Sequence, residues 1–248
     1  MSSDETKQRI TALRGRWQRE WDDILLLDPD YLESYARLSM VPHGSSALDP
    51  ATKELVLLAL SAAATHLHVP GIRLQLAGAL HEGATPGEVM ETIELTTGLG
   101  MHAMLTAVPL LREVLDEEGL RSGPAEPTEL QTRLREEFVA GRGYWDEMWT
   151  DVLEFDPEFF AAFTEFSSHP WRTGTLEPKV REFIYIAFDS AATHMFASGL
   201  KMHLRRALGF GATTDELLEV IELASLIGFH GAEVAVPLLR HEMKKRSS

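Results

Sequence analysis

The sequence contains no cysteine. Disulfides, thiolate metal sites, cysteine nucleophiles and dithiol redox chemistry are therefore excluded. Basic residues are few: 23 Lys and Arg stand against 38 Asp and Glu, a formal charge of −15. Such a surface repels phosphate backbones and anionic lipid, so neither nucleic acid nor a membrane is an expected partner. The short basic end Lys244-Lys245-Arg246 does not reverse that balance. Long apolar runs are missing too. The longest, Leu55 to Ala64, is about half a membrane span. The polar start MSSDETKQR lacks the apolar core of a signal peptide. What remains, 248 residues with 44% hydrophobic and 25% charged content, is an ordinary globular composition with a cytoplasmic location as the expectation.

The chain is one unit written twice. A shift of 128 positions places Asp28-Pro29 on Asp156-Pro157, and Trp17 and Trp21 on Trp145 and Trp149. It also places Ala63-Ala64-Thr65-His66 on Ala191-Ala192-Thr193-His194, and Gly83-Ala84-Thr85 on Gly211-Ala212-Thr213. Between residues 51 and 115 about 26 of 65 positions are identical without a gap, the signature of a tandem duplication. The polar stretch 116–132, with Gly119, Gly123, Pro124 and Pro127, reads as a linker between units at 1–120 and 130–248.

Each unit reads as all-α. Asp28-Pro29 and its copy mark helix starts. Lys53 to Ala64 reads as a helix with one strongly apolar face, and Gly71 to His81 as another that stops at Gly83, where a left-handed cap needs glycine. Thr85 with Glu88, and Thr213 with Glu216, form capping boxes for helices that would carry Ile93, Leu95, Ile221 and Leu223 into the core. Pro109 is expected in the first turn of a final helix. The paired tryptophans read as core anchors. No segment shows a convincing strand alternation.

Comparison of the two copies filters the ten histidines. Only His66/His194 and His102/His230 recur, together with Glu54/Glu182, Glu91/Glu219 and Arg112/Arg240. Arg73 and Lys201 keep charge, whereas Gln75 becomes His203 and Ser61 becomes Asp189. The second copy thereby concentrates Asp189, His194, Lys201, His203 and His230, expected near one helix–helix junction and suited to acid–base work on an anion. The same residue types also occur as helix caps and surface charges.

The run Lys53-Glu54-Leu55, the Ala-rich helix, His66, Gly71, Gly83-Ala84-Thr85, Glu88 and Glu91 resembles the carboxymuconolactone decarboxylase family, and the pattern returns from Arg181-Glu182 to Glu219. The resemblance implies two tandem copies of the all-helical alkylhydroperoxidase-like fold. It also implies self-association: a trimer of pseudo-hexameric shape, or a dimer. Glu54 and Glu182 match the family glutamate of the first core helix; His203 matches the histidine of the second, where Gln75 stands in the first copy. The CxxC pair of the peroxidase branch is lacking, so that activity is not expected. The segments THLHVPG and THMFASG look about two residues longer than the family spacing, which would reshape the pocket mouth.

The expected activity is that of a cofactor-independent lyase removing CO2 from a small cyclic or unsaturated carboxylic acid. Lys201 or Arg73 would anchor the anion, with His230, His102 and Gln75 as further substrate contacts. His194 and His203, or His66 in the first copy, would transfer the proton. Glu182, Asp189 or Glu54 would set the imidazole tautomer. One alternative is a metal held by His194, His203 and His230 with Asp189 or Glu182, as a three-His or two-His-one-carboxylate site; another is a non-catalytic ligand-binding or assembly module.

Overall fold

The computed structural model describes residues 3–121, 123 and 126–246. Pro124 of the linker, and Met1 and Ser2 of the polar start, lie outside the described residues. Seven helices form the first repeat: α1 (Ser3–Arg14), α2 (Trp21–Leu27), α3 (Pro29–Gly44), α4 (Pro50–Ala62), α5 (Val69–His81), α6 (Pro86–Thr97) and α7 (His102–Glu117). The second repeats them as α8 (Glu129–Arg142), α9 (Thr150–Phe155), α10 (Pro157–Thr173), α11 (Pro178–Ser190), α12 (Ala197–Gly209), α13 (Thr214–Ser225) and α14 (His230–Arg246). Among the described residues there is no strand.

The starts follow from local chemistry. Asp28 and Asp156 accept hydrogen bonds from the amides of Tyr31 and Phe159, each at 2.9 Å, with proline at the next position. Both capping boxes form as the sequence demands. Gly83 ends its helix at φ +99°. Pro109 departs from expectation: it lies inside α7, as Pro237 lies inside α14. A 3-10 turn over Gly98–Met101 runs straight into α7, so the chain is already helical at His102. Packing of Leu105 and Val108 against Trp149 and Val152 offsets the hydrogen bond the proline removes.

Helices α4 and α11 form the centre and pack on each other. Residues 52–61 of α4 are all buried, so this helix is enclosed on every side rather than along one face. Of the four residues expected to be core in α6 and α13, Leu95 and Leu223 are fully buried, Ile93 partly, and Ile221 is exposed.

The two repeats interlock. The last helix of each docks on the opposite repeat, α7 on α9 and α14 on α2. Charge pairs cross in the same sense. Arg112 meets Asp151 at 2.5 Å, and Arg240 meets Asp23 at 2.7 Å. Deeper in, Arg181 pairs with Glu91 at 2.6 Å, and Lys53 with Glu219 at 2.9 Å. The stretch Thr214–Arg246 is long and apolar enough to cross a bilayer by length and composition. Here it is α13, a 3-10 turn and α14, and its Glu219 and Glu233 are buried against protein partners.

Candidate active site

Burial of α11 places Glu182 where no solvent reaches it. A carboxylate in such a place needs donors, and α12 supplies two from positions three apart on one helix face. His203 Nδ1 lies 2.6 Å from Glu182 Oε2, and Arg206 Nε donates to Oε1 at 2.7 Å. Because Nδ1 faces a carboxylate it is the donor of this bond, which leaves Nε2 free to act on the cavity side. Tyr185, one turn beyond Glu182, stacks on the His203 ring at 4.4 Å and 12°. Its hydroxyl accepts from Trp171 Nε1 at 3.3 Å, and burial raises its pKa. The Arg206 guanidinium lies over Tyr144 at 4.2 Å, and burial pushes the Tyr144 phenol up to about 12.

These groups line a narrow cavity of about 50 Å³, room for a few waters. Its other walls are aromatic, including Phe138, Trp149, Phe163 and Phe196, with Arg142 at the polar side held by Ser167 at 2.7 Å. Trp149 is thus both a core anchor and a cavity wall. Met101, Met148 and Met202 also face the space and supply adaptable walls for a larger guest.

Against the same cavity stands a second polar group. His102 comes from α7 of the first repeat and sits between His194 Nε2, 2.5 Å from its Nδ1, and Asp189 Oδ1 at 3.6 Å. Phe196 stacks on the His102 ring at 4.0 Å. Burial, with the neighbouring imidazoles, drives the His102 pKa down to about 3, and burial alone lowers that of His194. Asp189 is fully enclosed, and burial raises its carboxyl to about 8. The turn that aims His194 passes through Met195 at φ +55°, matched by Leu67 at φ +47° in the first repeat. These left-handed, non-glycine residues fall in the segments that looked longer than the family spacing.

The equivalent place in the first repeat has different chemistry. Gln75 stands for His203 and Leu57 for Tyr185 around a space of about 20 Å³, and Gly78 stands for Arg206. Glu54 still has an arginine partner, Arg16 at 2.7 Å, from the position that Tyr144 occupies in the second repeat. Gly78 makes that possible, since a Cβ there would lie 2.5 Å from Glu54 Oε2 and 2.8 Å from Arg16 Nη1. His66 Nε2 is 2.7 Å from His230 Nδ1, and His68 stacks on His230 at 3.9 Å. His68 Nδ1 accepts the Gly71 amide at 3.2 Å, and its Nε2 is 3.5 Å from Glu233. Burial, first among the causes, brings His68 to about 4 and His230 to about 3.

Glu182, Asp189, His194 and His203 therefore gather in the second repeat as the sequence suggested, with two corrections. His230 is not with them. Because the last helices are exchanged, His102 fills that place and His230 joins His66, so the set His194, His203 and His230 cannot share one metal. Lys201 and Arg73 are exposed on the outer side of their helices and anchor nothing in the cavity. The cations that face it are Arg206 and Arg142. Arg206 escaped a filter that kept only recurring residues, although its place three after His203 put it on the same helix face.

Fold and site together define an all-helical tandem protein with a narrow aromatic pocket and a carboxylate–imidazole–guanidinium group. The sequence pattern of the carboxymuconolactone decarboxylase family matches it twice, at residues 29–113 and 157–240, so the chain belongs to that family. A crystal structure from Burkholderia xenovorans LB400, described as a "putative gamma-carboxymuconolactone decarboxylase subunit", is 43% identical, with a TM-score of 0.95 over 100% of this chain and 99% of that one. No curated protein matches the sequence.

Proposed function

We propose that the chain is a decarboxylase for a small cyclic or unsaturated carboxylic acid, with one working site per chain, in the second repeat. The observation that carries this reading is Glu182, a solvent-free carboxylate that holds both His203 Nδ1 and Arg206 Nε at a narrow aromatic cavity. Arg206 and Arg142 would bind a carboxylate of the substrate, and the aromatic walls would surround the departing one. The bond to the carboxyl carbon breaks, CO2 leaves, and the electron pair passes into a conjugated enolate. His203 takes up a proton from bulk solvent at Nε2 and delivers it to that carbanion, so one solvent proton is consumed for each CO2 released, while Glu182 holds the ring through Nδ1. Gln75, Leu57 and Gly78 deprive the first repeat of this set.

The test is CO2 release from a panel of lactone, β-keto and vinylogous acids, with Arg206→Met beside the wild type. Turnover of at least one acid, with KM raised in R206M, is expected. Failure on the whole panel, or an unchanged KM, contradicts the reading. Self-association is proposed as well, because α7 and α14 expose matching apolar residues, Leu110, Leu111, Leu238 and Leu239. Light scattering that finds a monomer overturns that part.

A further inference from the structure

We propose that His102, His194 and Asp189 form a binding site for one divalent first-row transition metal, built across the two repeats beside the cavity. The ligand atoms already converge. His102 Nδ1 and His194 Nε2 are 2.5 Å apart, Asp189 Oδ1 is 3.6 Å from the former, and one ligand atom from each residue lies within 4.8 Å of the others. Two imidazoles and a carboxylate with open positions suit zinc or ferrous iron. Bound ligand atoms sit about 2.0–2.2 Å from zinc, so adjacent ligands are about 3 Å apart. The two rings must separate slightly and the carboxylate approach slightly, which are small adjustments.

The independent observation is Asp189. Its carboxylate has no exposure, and neither oxygen has a hydrogen-bond partner. Two buried carboxyl oxygens without a partner are an anomaly that a bound cation would resolve, by displacing the proton and taking its place as their partner. Gly199 packs closely against this group, since a Cβ there would lie 2.7 Å from Asp189 Oδ2. Both rings are only partly buried, which gives an ion a route in.

The twin cluster is the natural control. His66, His68 and His230 also converge, but Ser61 stands where Asp189 would be. His68 has its Nδ1 lone pair taken by the Gly71 amide, so its Nε2 carries the proton and cannot bind a metal. In the second repeat Phe196 replaces His68 and makes no such claim on the site. The metal is therefore assigned to one cluster, and the assignment does not depend on decarboxylation.

The experiment uses the full chain, expressed without a histidine tag, stripped with chelator and titrated with Zn²⁺ by calorimetry; Co²⁺ is added in parallel and followed by its visible absorption. One Zn²⁺ per chain is expected. Asp189→Asn and His194→Ala should each weaken binding by at least about 100-fold, while His66→Ala leaves it unchanged. H194A alters a partly exposed ring and serves if D189N does not fold. Absence of saturable binding to the wild type, undiminished affinity in H194A, or loss of binding in H66A overturns the proposal.

Discussion

Replacement of Glu91 by Gln tests whether the interlock of the repeats holds the fold together. Glu91 is 2% exposed and accepts three bonds from the second repeat: Arg181 Nε at 2.6 Å, Thr175 N at 2.6 Å and Leu176 N at 2.9 Å. Glutamine keeps one oxygen, but its amide group cannot accept, so at least one donor loses its partner. Arg181, itself buried, loses its counter-ion and keeps the face of Trp171 at 5.0 Å and a long bond to the Trp171 carbonyl at 3.5 Å. Removal of one member of a buried pair costs about 3–5 kcal/mol. For a chain of this length each kcal/mol is worth about 2–4 °C, so the melting temperature should fall by about 6–20 °C. Calorimetric melts of Glu91→Gln should be compared with Glu94→Gln, a residue of the same helix in no ion pair among the described residues, where a change within about 0.5 kcal/mol is expected. Equal shifts for the two variants would refute the reasoning.

Other outcomes follow from the same geometry. Gly78→Ala would push a methyl into the Glu54–Arg16 pair and should lower the unfolding free energy from urea melts by about 1–3 kcal/mol; no loss would show that the pair moves freely. Arg112→Ala breaks a pair whose arginine is 41% exposed, so its cost should stay below about 1 kcal/mol and well short of that of E91Q. His68 has a folded-state pKa near 4 against 6.5 when free, so between those values the unfolded chain binds the extra proton. Stability is therefore greatest above pH 6.5 and is lost as the pH falls toward 4, by roughly 3 kcal/mol from this ring. His68→Phe, which installs the residue found at the equivalent position 196, should flatten that part of the profile in denaturant titrations at pH 7 and 4.5. An unchanged slope would discount the His68 contribution.

Much of this architecture was legible in the sequence because it is local or repeated. The caps at Asp28, Asp156, Thr85 and Thr213 each act within three residues, and the 128-residue shift reveals the tandem units without reference to space. Glu182 and His203 were found because one recurs and the other is an unmatched imidazole. The exchange of α7 and α14 was hidden, since His102 and His230 are identical under the duplication and either could serve either junction. Which helix docks where is decided by packing, as in Leu105 and Val108 against Trp149 and Val152. The cation was misplaced for a related reason. Lys201 and Arg73 drew attention by keeping charge in both copies, whereas Arg206 and its counterpart Gly78 differ, and the compensating exchange of Tyr144 for Arg16 lies in another helix or turn. Pro109 was misread because the 3-10 turn before His102 carries no distinctive residue pattern.

The most direct measurement is kcat/KM for CO2 release by three variants on the acid that the wild type turns over fastest. His203→Gln and Glu182→Gln should each fall by about 10²–10⁴, the span of a lost proton-transfer group, while Glu54→Gln in the first repeat stays near wild type once its folding is verified. Wild-type activity in H203Q, or an equal loss in E54Q, would contradict the assignment of chemistry to the second-repeat pocket.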